Sequence, residues 1–294
     1  MLGEGTPVQQ DAYEQPDDPL TGLRFGHSED NWSRTRLWMS RDELVQVNTT
    51  TLVIVGCGGT GSMLAIYAAY LGFGHLIICE ADVLEPSNLN RFIVATPGDV
   101  GRPKAHLVAD YLRLHTPATN VTVVEQKFPS DAALATLQDS SAIIAGCVDD
   151  AKVRIEIDVA CRHYGKTLVD LGTGFARDAE GRIAASGGQV MVSRPNGPCL
   201  MCLGFPQLIN ENDYMVGPDN SPQPSLILLN SIVSTLAADC LLQEVANGAA
   251  DYNVLSYSRN EMSVTAETRV HDSTCTICGE GAEEHIASIL GEVD

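Results

Sequence analysis

Short unbroken apolar runs alternate with longer stretches of helical periodicity through the first half of the chain. Leu52-Val53-Ile54-Val55, His75-Leu76-Ile77-Ile78-Cys79, 120–124, 141–147 and 166–170 are five such runs. Each has the length of a strand, and the first two are rich in the branched side chains of strands buried on both faces. Between them, 62–71, 105–114 and 149–164 read as helices. This alternation predicts an α/β fold with a Rossmann-like, mostly parallel sheet. The pattern then changes. Residues 181–194, with a Ser-Gly-Gly centre, predict antiparallel strands or a hairpin, and 253–257 and 263–269 predict two more strands. The apolar run 225–245 is interrupted by Asn230, Ser231, Ser234, Thr235 and Asp239, so it predicts a buried or interface helix and no membrane span. A short helix is expected over 41–47. Residues 1–27 carry Pro7, Pro16 and Pro19 without apolar periodicity and are expected to form a mobile acidic tail.

The first strand runs into Gly56-Cys57-Gly58-Gly59-Thr60-Gly61 and then an Ala-rich helix. Gly56, Gly58 and Gly61 fit the dinucleotide fingerprint, in which absent Cβ atoms let the backbone approach a phosphate at a helix N-terminus. The second strand ends on Glu80, near the offset at which an acid grips ribose hydroxyls. Beyond Glu80 the chain departs from a dehydrogenase: Asp82, then Ser87-Asn88-Leu89-Asn90-Arg91, then Gly101-Arg102-Pro103-Lys104. A cation at the start of a helix opposes the helix dipole unless an anion lies beside it. Asn88, Arg91 and Lys104 together suit the charged tail of a nucleoside triphosphate. Asp149 and Asp150 open a helix at the carboxyl end of a strand. One of them can cap the helix, and Asp149 is placed to hold Mg²⁺ or to act near the reacting phosphate. Upstream, Trp32, Arg34 and Trp38 suit either interface packing or an arginine reaching toward a phosphate.

Charge narrows the partners. With 18 Lys and Arg against 38 Asp and Glu, the net charge of −20 disfavours nucleic acid. Residues 1–30 show no secretory signal, so a cytoplasmic protein is expected, and nine cysteines there do not imply disulfides. Four of the nine form two C-x-x-C pairs, Cys199/Cys202 and Cys275/Cys278. Two such pairs supply the four thiolates of a closed, tetrahedral structural Zn²⁺ site.

These motifs together resemble the ATP-dependent activating enzymes, the superfamily that includes ThiF, MoeB and the ubiquitin-activating enzymes. The likeness runs from about Asn31 to Gly279. It is carried by the Gly-x-Gly-Gly-x-Gly loop, the acid-x-Asp followed by Ser-Asn-Leu-Asn-Arg, the Gly-x-Pro-Lys, the Cys-x-Asp ending at Asp149 and the two cysteine pairs. The resemblance implies adenylation of a C-terminal carboxylate, the Gly-Gly tail of a ubiquitin-like or sulfur-carrier protein, with ATP and Mg²⁺. It implies Gly56, Gly58, Gly59, Gly61, Glu80, Asp82 and Asn88 as nucleotide-binding residues, and Arg91, Lys104 and Asp149 as catalytic ones. It further implies a homodimer in which Arg34 reaches the partner's ATP, although Asn31 and Thr35 depart from the usual motif, and Glu80 stands where the family has Asp. The division expected is a tail over 1–27 and one adenylation domain over 28–294, with a nucleotide-binding half at about 48–170 and a substrate and zinc half at about 171–294. Family members that form a thioester place a cysteine after the first zinc pair. This chain has none between Phe205 and Ser225, so an enzyme that stops at the acyl-adenylate is expected. The rival expectations are adenylation of a peptide or small carboxylate, a non-catalytic interaction subunit, and simple NAD binding.

Overall fold

The structure, a computed structural model, describes residues 34–205 and 224–279. Strands β1 (Thr51–Val55), β2 (His75–Cys79), β3 (Asn120–Val124), β4 (Ala142–Gly146), β5 (Leu168–Arg177), β6 (Ile183–Ser193), β7 (Val254–Ser258) and β8 (Ser263–Glu267) make one sheet in the order β3-β2-β1-β4-β5-β6-β7-β8. The first five are mutually parallel and the last four antiparallel. β5 therefore belongs to both halves. Its first three residues pair with β4, and the whole strand pairs with β6. The sequence pattern predicted only the former part, because Gly172, Thr173 and Gly174 are poor strand formers and read as a break.

Helices α1 (Arg41–Thr49), α2 (Gly59–Leu71), α3 (Lys104–His115) and α6 (Ile227–Ala246) contribute to the core on one face. On the other lie α4 (Asp131–Thr136), α5 (Ala151–His163) and the segment Cys199 to Phe205. Alternation along β1 divides its side chains between the two: Leu52 and Ile54 face the first core, Val53 and Val55 the second. α1 opens on a capping box made by Ser40 and Glu43. α2 ends at Gly72, which adopts the left-handed conformation that glycine takes without strain. The short α4 has no counterpart in the sequence expectations. One helix among the described residues, α6, is long and apolar enough to cross a membrane, but half of it is buried. It packs on α2, where Ser234 Oγ donates to the Thr60 carbonyl at 2.9 Å. The expected tail at 1–27 and the start of the Trp-Arg segment lie outside the described residues.

Candidate active site

Strand order reverses at β1, which has β2 on one side and β4 on the other. The loop 56–61 leaves β1 at that switch point, where open α/β sheets bind ligands. Gly56 has φ +90°, and Gly61 lies so close to the Gly56 carbonyl that no Cβ could fit between them. Beside Gly58 nothing lies within 4 Å of a Cβ position, so that face of the loop is open. Gly59 has a different reason. Its missing Cβ leaves room for the side-chain amide of Asn230 in α6 and for Arg91, whose Cδ would be 3.2 Å away. The second glycine of the doublet thus lets Arg91 lie against the loop. Arg91 is held there through its Nη1, which donates to the Ser87 carbonyl at 2.7 Å and to Asn90 Oδ1 at 3.0 Å.

Glu80 follows β2 and turns back on the loop. Its Oε2 accepts the Cys57 backbone N–H at 2.9 Å, and Oε1 accepts that of Asp82 at 2.9 Å. An ionised carboxylate has about four acceptor sites, so two such bonds leave capacity for hydroxyls. Asp82 is half exposed and faces two cations: Lys104 Nζ at 3.4 Å and Lys127 Nζ at 3.8 Å. Lys104, the first residue of α3, is only 12 % exposed, which answers the dipole mismatch with an adjacent anion. Asn88 Oδ1 accepts the Glu85 N–H at 3.1 Å and shapes the turn that presents Arg91. Asp150 is the cap of α5, accepting the N–H groups of Lys152 and Val153. Asp149 is exposed and makes no hydrogen bond or ion pair among the described residues. Arg34, also exposed, precedes a short 3₁₀ turn over Thr35–Leu37. It stands apart from these contacts within the single chain.

Burial removes the neighbouring thiols from chemistry. Cys57 and Cys147 are enclosed, and desolvation pushes both thiols far above their ordinary range. The Cys240 thiol is pushed up to about 12 for the same reason, and Cys161 is raised as well. A buried neutral thiol packs as a small apolar group and is a poor nucleophile.

The two C-x-x-C pairs meet. The Sγ atoms of Cys199, Cys202, Cys275 and Cys278 all lie within 4.8 Å of one another, with Cys199 to Cys275 at 3.5 Å and Cys202 to Cys278 at 3.4 Å. Bonds of about 2.3 Å in a tetrahedral four-sulfur site separate the sulfurs by about 3.8 Å, so the donor set fits such an ion. Backbone N–H groups of Asp272 and Ile277 point at Cys202 and Cys275.

Sequence reasoning missed how this knuckle is fastened. Arg154, Asp158 and Arg162 lie at i, i+4 and i+8 on α5, a spacing that resembles a solvated charged face. It is instead an inward one. Arg154 is 2 % exposed and forks onto Asp170 of β5, with Nε at 3.0 and 3.1 Å from the two carboxylate oxygens, while its guanidinium lies 4.2 Å over the ring of Phe205. Asp158 accepts Ser193 Oγ at 2.6 Å and the Leu200 N–H at 2.7 Å. Arg162 donates to the carbonyls of Arg194 and Gly197. Gln189, 7 % exposed on β6, is a different case: its buried Nε2 has no hydrogen-bond partner among the described residues. A buried donor left unmatched costs about 1–3 kcal/mol. A polar cavity of about 380 Å³, lined by Thr50, Ser141 and Lys166 among others, lies at the amino ends of β1, β4 and β5, away from all these groups.

A glycine loop at the switch point of a mixed sheet, with Arg91 against it and Lys104 and Asp149 at the same carboxyl edge, defines an α/β protein of the Rossmann-like class. A profile of the ThiF family matches residues 33–277, and the chain belongs to that family. It is 30 % identical to the SAMP-activating enzyme E1 of Haloferax volcanii over 245 residues, covering 82 % of this chain and 84 % of that one. The sulfur carrier protein ThiS adenylyltransferase of Escherichia coli is 27 % identical over 238 residues, covering 78 % and 85 %. The molybdopterin-synthase adenylyltransferase of Salmonella typhimurium is 25 % identical over 232 residues, covering 78 % and 87 %. Among solved structures, E. coli MccB with MccA-N7isoASN superposes with a TM-score of 0.69 at 16 % identity, covering 89 % of this chain and 80 % of that one. That likeness bears on the fold.

Proposed function

We propose that the chain is an ATP- and Mg²⁺-dependent adenylyltransferase that activates the C-terminal carboxylate of a ubiquitin-like or sulfur-carrier protein and releases pyrophosphate. One observation carries the reading. Arg91 lies against Gly59 of the glycine loop, Lys104 opens α3 beside Asp82, and Asp149, without a hydrogen bond or ion pair among the described residues, follows β4 at the same carboxyl edge of the sheet. The named activities of the three relatives support it.

The chemistry asks little of a general base, because a carboxylate is already a nucleophile. The obstacle is charge: an anion must approach the α-phosphorus of a polyanion, forming the carboxyl O–P bond while the bond to pyrophosphate breaks. Positioning and neutralisation lower that barrier. The backbone N–H groups of the loop and the start of α2 receive phosphate oxygens. Arg91, lying over Gly59, and Lys104, drawn from Asp82, supply mobile positive charge to the triphosphate. Glu80 and Asp82 face the ribose, with Asn88 beside the phosphates. Asp149 is the residue to hold Mg²⁺, which when bound offsets phosphate charge. Zinc suits the four-cysteine knuckle, as a structural ion with no open position. Exposed Leu37 and Trp38 beside Arg34, and Leu226 and Leu228 near the start of α6, offer apolar surface to a second copy. They support a homodimer in which Arg34 reaches the partner's nucleotide. We assign residues 28–294 to one adenylation domain, with the nucleotide half at about 48–170 and the substrate and metal half at about 171–294, in a cytoplasmic protein.

Wild-type protein is expected to catalyse ATP–pyrophosphate exchange when given Gly-Gly-tailed carrier proteins. Lys104→Ala and Asp149→Ala should abolish exchange while leaving the circular dichroism spectrum intact. Exchange at the wild-type rate in both variants sinks the assignment. Exchange driven only by a short peptide or small carboxylate favours the rival substrate class. Mass spectrometry after mixing with ATP and carrier should show no thiol-sensitive adduct, since the described cysteines outside the knuckle are buried.

A further inference from the structure

Asn230 is out of place on the inward face of α6. Its neighbours there, Leu229, Val233 and Ala237, are buried apolar residues, and Asn230 is itself only 2 % exposed. Asparagine is a weak helix former, and a buried amide must find partners for both its ends. The partners here are slack: Nδ2 donates to Ser225 Oγ at 3.3 Å, and Oδ1 accepts from Thr173 Oγ1 of β5 at 3.5 Å. Bonds that long lie at the weak end of the range, so folding alone gives little reason for the amide.

What the amide touches closely is the glycine loop. A Cβ on Gly59 would collide with Nδ2 and lie 3.2 Å from Cγ of Asn230. The same Cβ would lie 3.2 Å from Cδ of Arg91. Asn230 and Arg91 therefore converge on one glycine, the first residue of α2, from distant parts of the chain. α6 makes further polar contacts along the start of α2. Ser231 Oγ donates to Met63 Sδ at 3.2 Å, and Ser234 Oγ donates to the Thr60 carbonyl at 2.9 Å. The turn from β1 into α2 is thus seated against α6 by groups that hydrogen-bond as well as fill space.

We propose that Asn230 is a positioning residue for nucleotide binding: its amide is the stop against which Gly59 rests, and it holds the loop and Arg91 at the separation a phosphate requires. It acts through Gly59 and Arg91. The inference rests on the adenylation reading and adds α6 to the elements that shape the nucleotide site. A neutral amide suits the place, because a carboxylate of the same shape would set a negative charge beside the phosphates.

The test is calorimetric titration of the full-length protein with ATP and Mg²⁺, and separately with adenosine, for wild type, Asn230→Ala, Gly59→Ala and the double variant. Each single change should weaken ATP roughly tenfold, by removing the stop or by pushing it aside, while adenosine, which carries no phosphate, stays within about twofold of wild type. In the double variant the methyl added at position 59 takes the space the amide has left, so the two effects do not add and ATP binds more tightly than to either single variant. An ATP affinity of Asn230→Ala within about twofold of wild type overturns the inference. A double variant that binds ATP no better than the single ones overturns it too. So does adenosine weakened as much as ATP, the mark of a general structural loss. Wild-type protein that binds no ATP overturns the adenylation reading itself, an outcome distinct from ATP bound equally by wild type and Asn230→Ala.

Discussion

The two halves of the sheet are held by opposite means. In the parallel half, polar side chains at the strand ends are exposed or loosely engaged: Asp149 makes no hydrogen bond or ion pair among the described residues, and Lys104 shares Asp82 with Lys127 at 3.4 and 3.8 Å. In the antiparallel half, comparable charges are sealed, with Arg154 on Asp170, Asp158 on the Leu200 N–H and four sulfurs in one cluster. Loose polar groups are ready for a ligand; sealed ones fix a frame. Activity and stability should therefore separate along the sheet.

The largest effect should come from the metal knuckle. Stripping the ion with a strong chelator removes an anchor worth on the order of 10 kcal/mol in small zinc domains. Elemental analysis should find one zinc per chain beforehand, and differential scanning calorimetry should show a large fall in melting temperature afterwards. Next comes the sealed pair. Arg154→Met strands the Asp170 carboxylate in the core and should cost about 3–5 kcal/mol in urea denaturation, most of it recovered when Asp170→Leu is added. If the single variant proves neutral, the antiparallel half is not the rigid member of the comparison.

On the other side, Lys104→Ala should lower exchange by hundreds-fold, on the scale known for transition-state donors, with stability changed by less than about 0.5 kcal/mol. A smaller effect, roughly tenfold on the KM for ATP, is expected for Gly59→Ala, because the new methyl must displace Asn230 or Arg91 from the loop. The least is a pH effect at the amino ends of the strands. The Ser141 N–H and the Thr51 hydroxyl hold the Asp139 carboxyl below its usual range. A depressed carboxylate stabilises the fold fully above its unfolded value of about 4, and the contribution is lost as pH falls from there through the lower folded value. Asp139→Asn should accordingly flatten the acid limb of the stability curve while leaving the neutral region unchanged in slope.

These contrasts also sort what could be read from the sequence. Strands β1 to β4, the phosphate loop, Asp150 as a cap and the meeting of the cysteine pairs were legible, since each rests on local pattern: apolar runs, glycine spacing, a capping residue, C-x-x-C. The boundary of β5 was not, because its glycines gain their strand geometry from β6 on one side alone. Nor were Arg154 and Asp158, whose helical spacing on α5 is the same for a buried charged face as for a wet one; only their partners on β5 and at Leu200 distinguish the two. Gly59 was flagged by the motif, yet its reason, contact with Asn230 and Arg91, depends on α6 arriving from far along the chain.

The cysteine knuckle also imposes an order of events on the ribosome. Cys199 and Cys275 are 76 residues apart, so at about 5–20 residues per second the first pair waits roughly 4–15 seconds for the second. When that interval begins β1 to β6 are already synthesised, and β7 and β8 are added before it ends. The nascent chain thus presents two reduced thiols beside an unfinished sheet edge, and the meeting of the two cysteine pairs becomes the step that closes the newly made protein.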